Sequence, residues 1–399
     1  MTPFERMVRA VEKTNLERPT SPVSVDGVVY DLDLVRPGEI FPARIPQPRV
    51  RKQAGQAARR KQPLRAIDLF AGLGGFSMGA EMAGLKTVWA ANHCVQAVLF
   101  YQMNHPSVRD PVCQNILSIR PNEWDELVPA HDVMLASPSC KPFTRAGAGR
   151  KKSLKDGEDP LRQTPLAAAT AALALQPKYF FMENVPEFAR ARANQGLYRK
   201  TRSILERAGY ALSEVVVDAA DVGTAITRVR WFLMGHLGGP PMRVSTPNRT
   251  PKPASSIIDW SVPWVPLEQS RVRSRKTFRQ IRNGMALHKQ GARGYSKAFI
   301  VPYFGTDRSR GATRPLTRPL GSIRTRGSNG LVRVVRGRPW WRMLTVPERM
   351  AAMGFPAKTK LVEEIGYQVQ MGFQFTGNAV APPQGCWVVR EGLRSVGAL

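Results

Sequence analysis

The chain has 399 residues, with 59 lysines and arginines against 30 aspartates and glutamates, which gives a formal net charge of +29. Hydrophobic residues make up 43% of it, enough for a core, so a wholly disordered basic tail is excluded. No run of about 20 apolar residues predicts a membrane-spanning helix, the N-terminus lacks the apolar segment of a secretion signal, and the cationic excess points to a polyanionic partner, with nucleic acid ahead of an anionic membrane surface.

Residues 1–63 are irregular and proline-rich. Val23–Leu34 alternates enough for a hairpin, and the basic, acid-free stretch Phe41–Arg65 reads as a linker or as an arm tracking a nucleic-acid strand. From Leu64 the texture changes to apolar strand-like runs alternating with helical ones. LRAIDLF, KTVWAAN, HDVMLAS and KYFFMENV read as strands. GGFSMGAEMAGL, VQAVLFYQMN and LAAATAALAL read as helices. This alternation predicts an α/β fold, a doubly wound, Rossmann-like, mostly parallel sheet buried on both faces. After His236 proline, arginine, glycine and serine become frequent. RSRKTFRQIRNGMAL reads there as a basic helix, KAFIVPYFG and GLVRVV as strands, and CWVVREGLRSV as a closing helix. The expected organisation is an N-terminal extension (1–63), a catalytic domain (64–236), a smaller irregular domain (237–365) and a segment returning to the catalytic domain (366–399).

The four cysteines, Cys94, Cys113, Cys140 and Cys386, form no CxxC pair. Neither a zinc site nor a disulfide framework is expected, and a reactive thiol would act alone. Asp68 stands at a strand end before Gly72, Gly74 and Gly75, with a helix following at once. That pattern suits close approach of a nucleotide-like ligand to a helix N-terminus, as in a dinucleotide site, though a plain tight turn looks similar. Phe70 adds an aromatic able to pack on a cofactor.

The run Asp68-Leu69-Phe70-Ala71-Gly72-Leu73-Gly74-Gly75 resembles the S-adenosylmethionine loop of the DNA cytosine-5 methyltransferases. Cys140, in Ser137-Pro138-Ser139-Cys140-Lys141-Pro142-Phe143, follows a predicted strand and resembles that family's catalytic Pro-x-Cys segment. Ser139 and Lys141 depart from its usual Pro-Pro-Cys-Gln. Glu183-Asn184-Val185 resembles its Glu-Asn-Val motif. Arg228 and Arg230 match the two arginines of its Gln-x-Arg-x-Arg motif, with Ile226 in place of the glutamine. Gly377-Asn378-Ala379-Val380 resembles its closing segment. Five motifs in family order, over most of 64–399, are far more specific than any one alone.

The resemblance implies methyl transfer from S-adenosylmethionine to carbon 5 of cytosine in double-stranded DNA, on a flipped-out base. Cys140 would be the nucleophile, with Glu183, Arg228 and Arg230 as further catalytic residues and Pro138 and Asn184 holding the base. Asp68, Phe70, Gly72, Gly74, Asn92, His93, Asn115, Ile116, Asn378 and Val380 would line the cofactor site. Asn92, His93 and Asn115 replace acids, which implies modest cofactor affinity. No metal is implied, and a monomer in a prokaryotic or phage-infected cytoplasm is expected, with restriction-modification as its setting. RNA cytosine is the rival substrate. A catalytically silent DNA-binding homologue, motivated by the altered residues, and a dehydrogenase, resting on the glycine loop alone, are the rival classes.

Overall fold

The computed structural model describes residues 23–25, 28–30, 62–108, 111–144, 159–270, 272, 274–302, 313–360 and 369–399. Most of the basic stretch before residue 65, the loop after Thr144 and most of the arginine-rich run around residue 310 lie outside them. The elements, in chain order, begin with β1 (Val23–Val25) and β2 (Val28–Tyr30), which pair antiparallel within the predicted hairpin. Then come β3 (Arg65–Leu69), α1 (Gly75–Met82), β4 (Lys86–Asn92), α2 (Val95–Asn104), β5 (Val112–Cys113), α3 (Trp124–Leu127) and β6 (Val133–Ala136). They continue with α4 (Pro160–Leu175), β7 (Tyr179–Asn184), α5 (Pro186–Arg190), α6 (Gln195–Arg207), β8 (Tyr210–Asp218) and β9 (Val229–Leu237).

Strands β3 to β9 form one sheet in the order β5-β4-β3-β6-β7-β9-β8. The pairings of β3 with β4, β4 with β5, β3 with β6 and β6 with β7 are parallel, whereas β9 runs antiparallel to β7. Every residue of β6 and β7 is buried, because helices cover both faces and the strands have no polar side to show water. The alanine-rich α4 packs close to the sheet and stops at Gln176, which takes a left-handed φ of 46°. The chain runs outward from β3 to β5, then returns to β6 on the other flank of β3. The carboxyl ends of β3 and β6 therefore flank a topological switch point, where ligands of such sheets bind.

The remaining elements are β10 (Val265–Pro266), α7 (Arg275–Lys289), β11 (Ala298–Pro302), β12 (Arg314–Pro315), β13 (Asn329–Val335), β14 (Arg338–Met343), α8 (Val346–Ala352), α9 (Val369–Asn378) and α10 (Pro382–Arg394). Strands β10 to β14 form a second sheet, order β10-β14-β13-β11-β12, antiparallel throughout. The region expected to be irregular thus carries a regular sheet. Helix α7 packs on it at Gly284, where a Cβ would stand 2.1 Å from the Phe299 ring. At the start of α8, Thr345 and Glu348 form a capping box, and Glu348 also takes a two-pronged grip from the buried Arg342 guanidinium.

Two compact units result. One comprises Met1–Val217, Val229–Thr246 and Gln384–Leu399, and the other Asp218–Arg228 and Pro247–Pro383. The C-terminal return to the first unit therefore begins at Gln384 rather than 366. Gln384 Nε2 donates to the Val217 carbonyl at 2.8 Å, and Trp387 Nε1 to that of Ser245 at 3.0 Å. Helix α9, expected in the returning segment, belongs to the second unit.

Candidate active site

The glycine loop is built on backbone strain. Phe70, Gly72 and Gly74 have φ of 61°, 54° and 76°, all left-handed, and at Phe70 a side chain bears the cost. A Cβ at Gly74 would lie 2.1 Å from His105 Nε2, so only glycine fits there. At Gly72 it would meet only the Phe70 carbonyl, at 3.9 Å, so that flank is open. Beneath the loop Asp68 is fully buried. Its Oδ2 accepts from Ser77 Oγ at 2.6 Å, Ser77 Oγ lies 2.8 Å from Tyr101 Oη, and the Tyr101 ring stacks on His105. Asp68 Oδ1 has no hydrogen-bond partner among the described residues. Burial raises the Asp68 pKa to about 7 and also raises that of Tyr101 well above its usual value.

Around this loop, Asn92 Oδ1 accepts from Cys94 N at 2.9 Å and Asn115 Oδ1 from Leu117 N at 3.1 Å. Each asparagine keeps the acceptor role an acid would have and adds an amide donor. Ile116 is buried, Asn92 and Asn115 are half-buried and His93 is exposed. An open glycine flank, a strained aromatic beside it and an orphaned buried carboxyl oxygen fit a cofactor such as S-adenosylmethionine. Phe70, Asn92, Asn115 and Ile116 are the side chains on this unit that would hold it.

Cys140 lies past the end of β6, half-buried, at the start of a 3-10 turn, Lys141–Phe143. The approach to it is fixed on three sides. Ser137 Oγ donates to the Phe70 carbonyl at 3.2 Å, tying the Cys loop to the glycine loop. Ser139 N donates to Thr164 Oγ1 of α4 at 3.1 Å. Asn184 Nδ2 donates to the carbonyl of the buried Pro138 at 3.3 Å, and Asn184 Oδ1 accepts from Val185 N at 2.8 Å. Asn184 is itself fully buried, so it braces the loop. Among the other thiols, Cys113 and Cys386 are buried, and burial pushes the Cys113 pKa up to about 12, which leaves it inert at neutral pH.

Glu183, one residue from the end of β7, is 5% exposed, and its Oε1 lies 2.6 Å from Arg230 Nε on the antiparallel neighbour β9. The distance is that of an ion pair, with the N–H off the line of a hydrogen bond. Arg230 also donates from NH1 to the Val229 carbonyl at 2.9 Å.

Arg228 and Arg230, both expected as catalytic residues, differ in their surroundings. Arg228 precedes the strand and falls in the second unit, where its buried guanidinium donates to the carbonyls of Gly377 (3.2 Å) and Ala379 (2.6 Å). It clasps the backbone on either side of Asn378, the exposed last residue of α9, with Val380 buried just beyond. Ile226, at the family's glutamine position, is wholly buried core of that unit and bridges to Leu320.

Sequence reasoning missed Ser77, Tyr101 and His105 under the glycine loop. The signal was present: Ser77 is a polar residue on the first turn of a mostly apolar helix, and its hydroxyl reaches Asp68, one residue before the end of β3. It also missed Trp231 and Glu214, whose meeting no spacing foretells.

A thiol and a clamped carboxylate thus stand at adjacent ends of a Rossmann-like sheet, beside a strained glycine loop. This is an α/β protein with a nucleotide-type glycine loop and a half-buried thiol at a neighbouring strand end. The model of the family "C-5 cytosine-specific DNA methylase" matches residues 64–391, and the chain belongs to that family. It is 33% identical over 180 residues to the Type II methyltransferase M.HgiDI of Herpetosiphon aurantiacus, a stretch covering 44% of this chain and 53% of that protein. To M.DdeI of Desulfomicrobium norvegicum it is 29% identical over 174 residues, 43% of this chain and 40% of that one. The matched stretch thus spans about half the length of these curated relatives. The fold is similar to that of the Entamoeba histolytica methyltransferase EhMeth (TM-score 0.61, 17% identity, covering 84% of this chain and 99% of that one). It is also similar to the S. pombe Dnmt2 methyltransferase (TM-score 0.55, 18% identity, covering 83% and 98%).

Proposed function

We propose that the protein methylates carbon 5 of cytosine in double-stranded DNA through a covalent Cys140 adduct on a flipped-out base. The observation that carries the reading is the buried Glu183–Arg230 contact beside a loop that holds a half-buried Cys140. Carbon 5 of cytosine is a poor nucleophile. The Cys140 thiolate adds to carbon 6, and the carbon 5–6 double bond becomes an enamine able to attack an electrophile. Glu183 stands where a carboxyl group can hold a proton at ring nitrogen 3 and so stabilise the charge that develops. Arg230 fixes the orientation of that carboxyl, and Asn184 fixes Pro138 and with it the approach to the thiol. S-adenosylmethionine supplies an electrophilic methyl group when bound. Loss of the carbon 5 proton then expels the Cys140 thiolate and restores the aromatic ring. Flipping costs a few kcal/mol, which contacts to the DNA backbone offset.

Expression in a methylation-free host, followed by bisulfite sequencing of host DNA, tests the whole reading. The wild type should leave protected cytosines in one sequence context. Cys140→Ser should lose transfer, by at least about 1,000-fold, while still binding duplex DNA. Equal turnover by that variant would sink the mechanism. A parallel assay on transfer RNA separates the DNA reading from its RNA rival, and failure to trap a 5-fluorocytosine duplex covalently would favour a silent binding protein.

A further inference from the structure

Cys140, Glu183 and Arg230 sit on three separate segments. The Asn184–Pro138 hydrogen bond and the Glu183–Arg230 ion pair link them, and a run of aromatic rings backs all three. Phe143, the last residue of the 3-10 turn that starts at Cys140, is buried with its ring edge-on to Phe188, centroids 4.9 Å apart. Phe188 lies on α5, five residues after Glu183, and is wholly buried. Its ring meets Trp231, the residue after Arg230, at 5.5 Å, and Tyr198 of α6 at 6.1 Å. Trp231 and Tyr198 close the cluster at 6.0 Å.

Both ends of the cluster are fixed. Trp231 Nε1 donates to Glu214 Oε2 at 2.7 Å, and Tyr198 Oη donates to Glu214 Oε1 at 2.5 Å. The Arg202 guanidinium neutralises the same carboxylate. At the other end the Arg162 guanidinium lies 5.5 Å above the Phe143 ring, and it donates to Asn194 Oδ1, whose amide holds the carbonyl of Glu187. Edge-to-face rings and anchored hydrogen bonds have few alternative packings, so each ring fixes the next.

We infer that Phe188, pinned through Trp231 by Glu214, is the positioning residue that sets the spacing of Cys140, Glu183 and Arg230 for the covalent step. None of these aromatic residues need touch substrate. The inference rests on the proposed function and assigns residues that the motifs do not. A displacement of about 1 Å in a reacting group can cost on the order of 100-fold in rate, which gives the cluster its leverage.

The test uses the full chain and reads kcat, KM for duplex DNA, KM for S-adenosylmethionine, covalent trapping of a 5-fluorocytosine duplex and Tm. Phe188→Leu should lower kcat and the trapping rate together, by ~10- to 100-fold, with both KM values within about twofold of wild type. Glu214→Ala provides a second variant, at a side chain 26% exposed, and it should show the same pattern at ~5- to 10-fold. Trp124→Phe, a buried ring packed on Trp89 elsewhere in this core, controls for lost stability and should keep wild-type kcat. Unchanged kcat in both Phe188→Leu and Glu214→Ala would overturn the inference, as would a rise in KM alone or an equal kcat loss in the control. A wild type that neither methylates nor traps would instead sink the functional reading itself.

Discussion

Asp68 shows how one residue can be legible in sequence and still have its chemistry decided by burial. Its place at a strand end was readable from the apolar run before it and the glycines after it. Its protonation was not. Burial, only partly offset by hydrogen bonds from Ser77, raises the pKa of the carboxyl group to about 7, against 3.8 for the exposed side chain. The folded value lies above the unfolded one, so the folded chain keeps a proton that the unfolded chain releases between these limits. The contribution to stability is complete below 3.8 and is lost as the pH rises through about 7. Urea titrations should therefore show a fall from this group of about 1.4 kcal/mol per pH unit at most across that window. In Asp68→Asn, which cannot ionise, the difference between about pH 5 and about pH 8 should shrink; an unchanged difference would show that Asp68 does not carry it. Glu183 illustrates the same division. The tripeptide marks the residue, but only the antiparallel neighbour β9 brings Arg230 to it.

Elements whose sequence periodicity is strong were the readable ones. KTVWAAN and VQAVLFYQMN became β4 and α2 with the bounds their apolar patterns suggest, because burial on both faces leaves no competing conformation. Helix α6 and strands β8 and β14 were not foreseen, since charged and apolar residues mix along them and only the neighbours they pair with decide their state. Helix α7 was readable as basic and helical, and the structure shows which face matters. Thr277, Gln280, Ile281 and Gly284 face the sheet, while Arg275, Arg279, Arg282 and Lys289 are exposed together with Phe278. If this face binds backbone phosphates, the double variant Arg279→Glu/Arg282→Glu should weaken binding to all duplexes alike. It should also make the slope of log K against log salt shallower by about 2. A change of sequence preference at constant slope would point to base contacts instead.

At the scale of the whole molecule, the charge and the motifs divide the work. The +29 is spread over the chain, whereas the proposed catalytic set needs only a thiol, one carboxylate and one guanidinium. Affinity for duplex DNA should accordingly fall steeply with salt, ~1,000-fold or more between about 50 and 200 mM, as counterions are released. A flat profile in filter-binding or anisotropy titrations would show that the charge serves something else. The sequence by itself determined the fold class and the order of the motifs, and it singled out the thiol proposed as nucleophile. Those depend on local periodicity and on short contiguous segments at strand ends, which the chain carries without help from distant residues. Only the tertiary structure decided that Arg228 clasps a backbone while Arg230 meets Glu183. It alone decided that the second unit reaches to Pro383 and that rings from four segments converge near Cys140. Each of these depends on which strands become neighbours, a choice made by burial over the whole sheet and not by any residue's own neighbours in sequence.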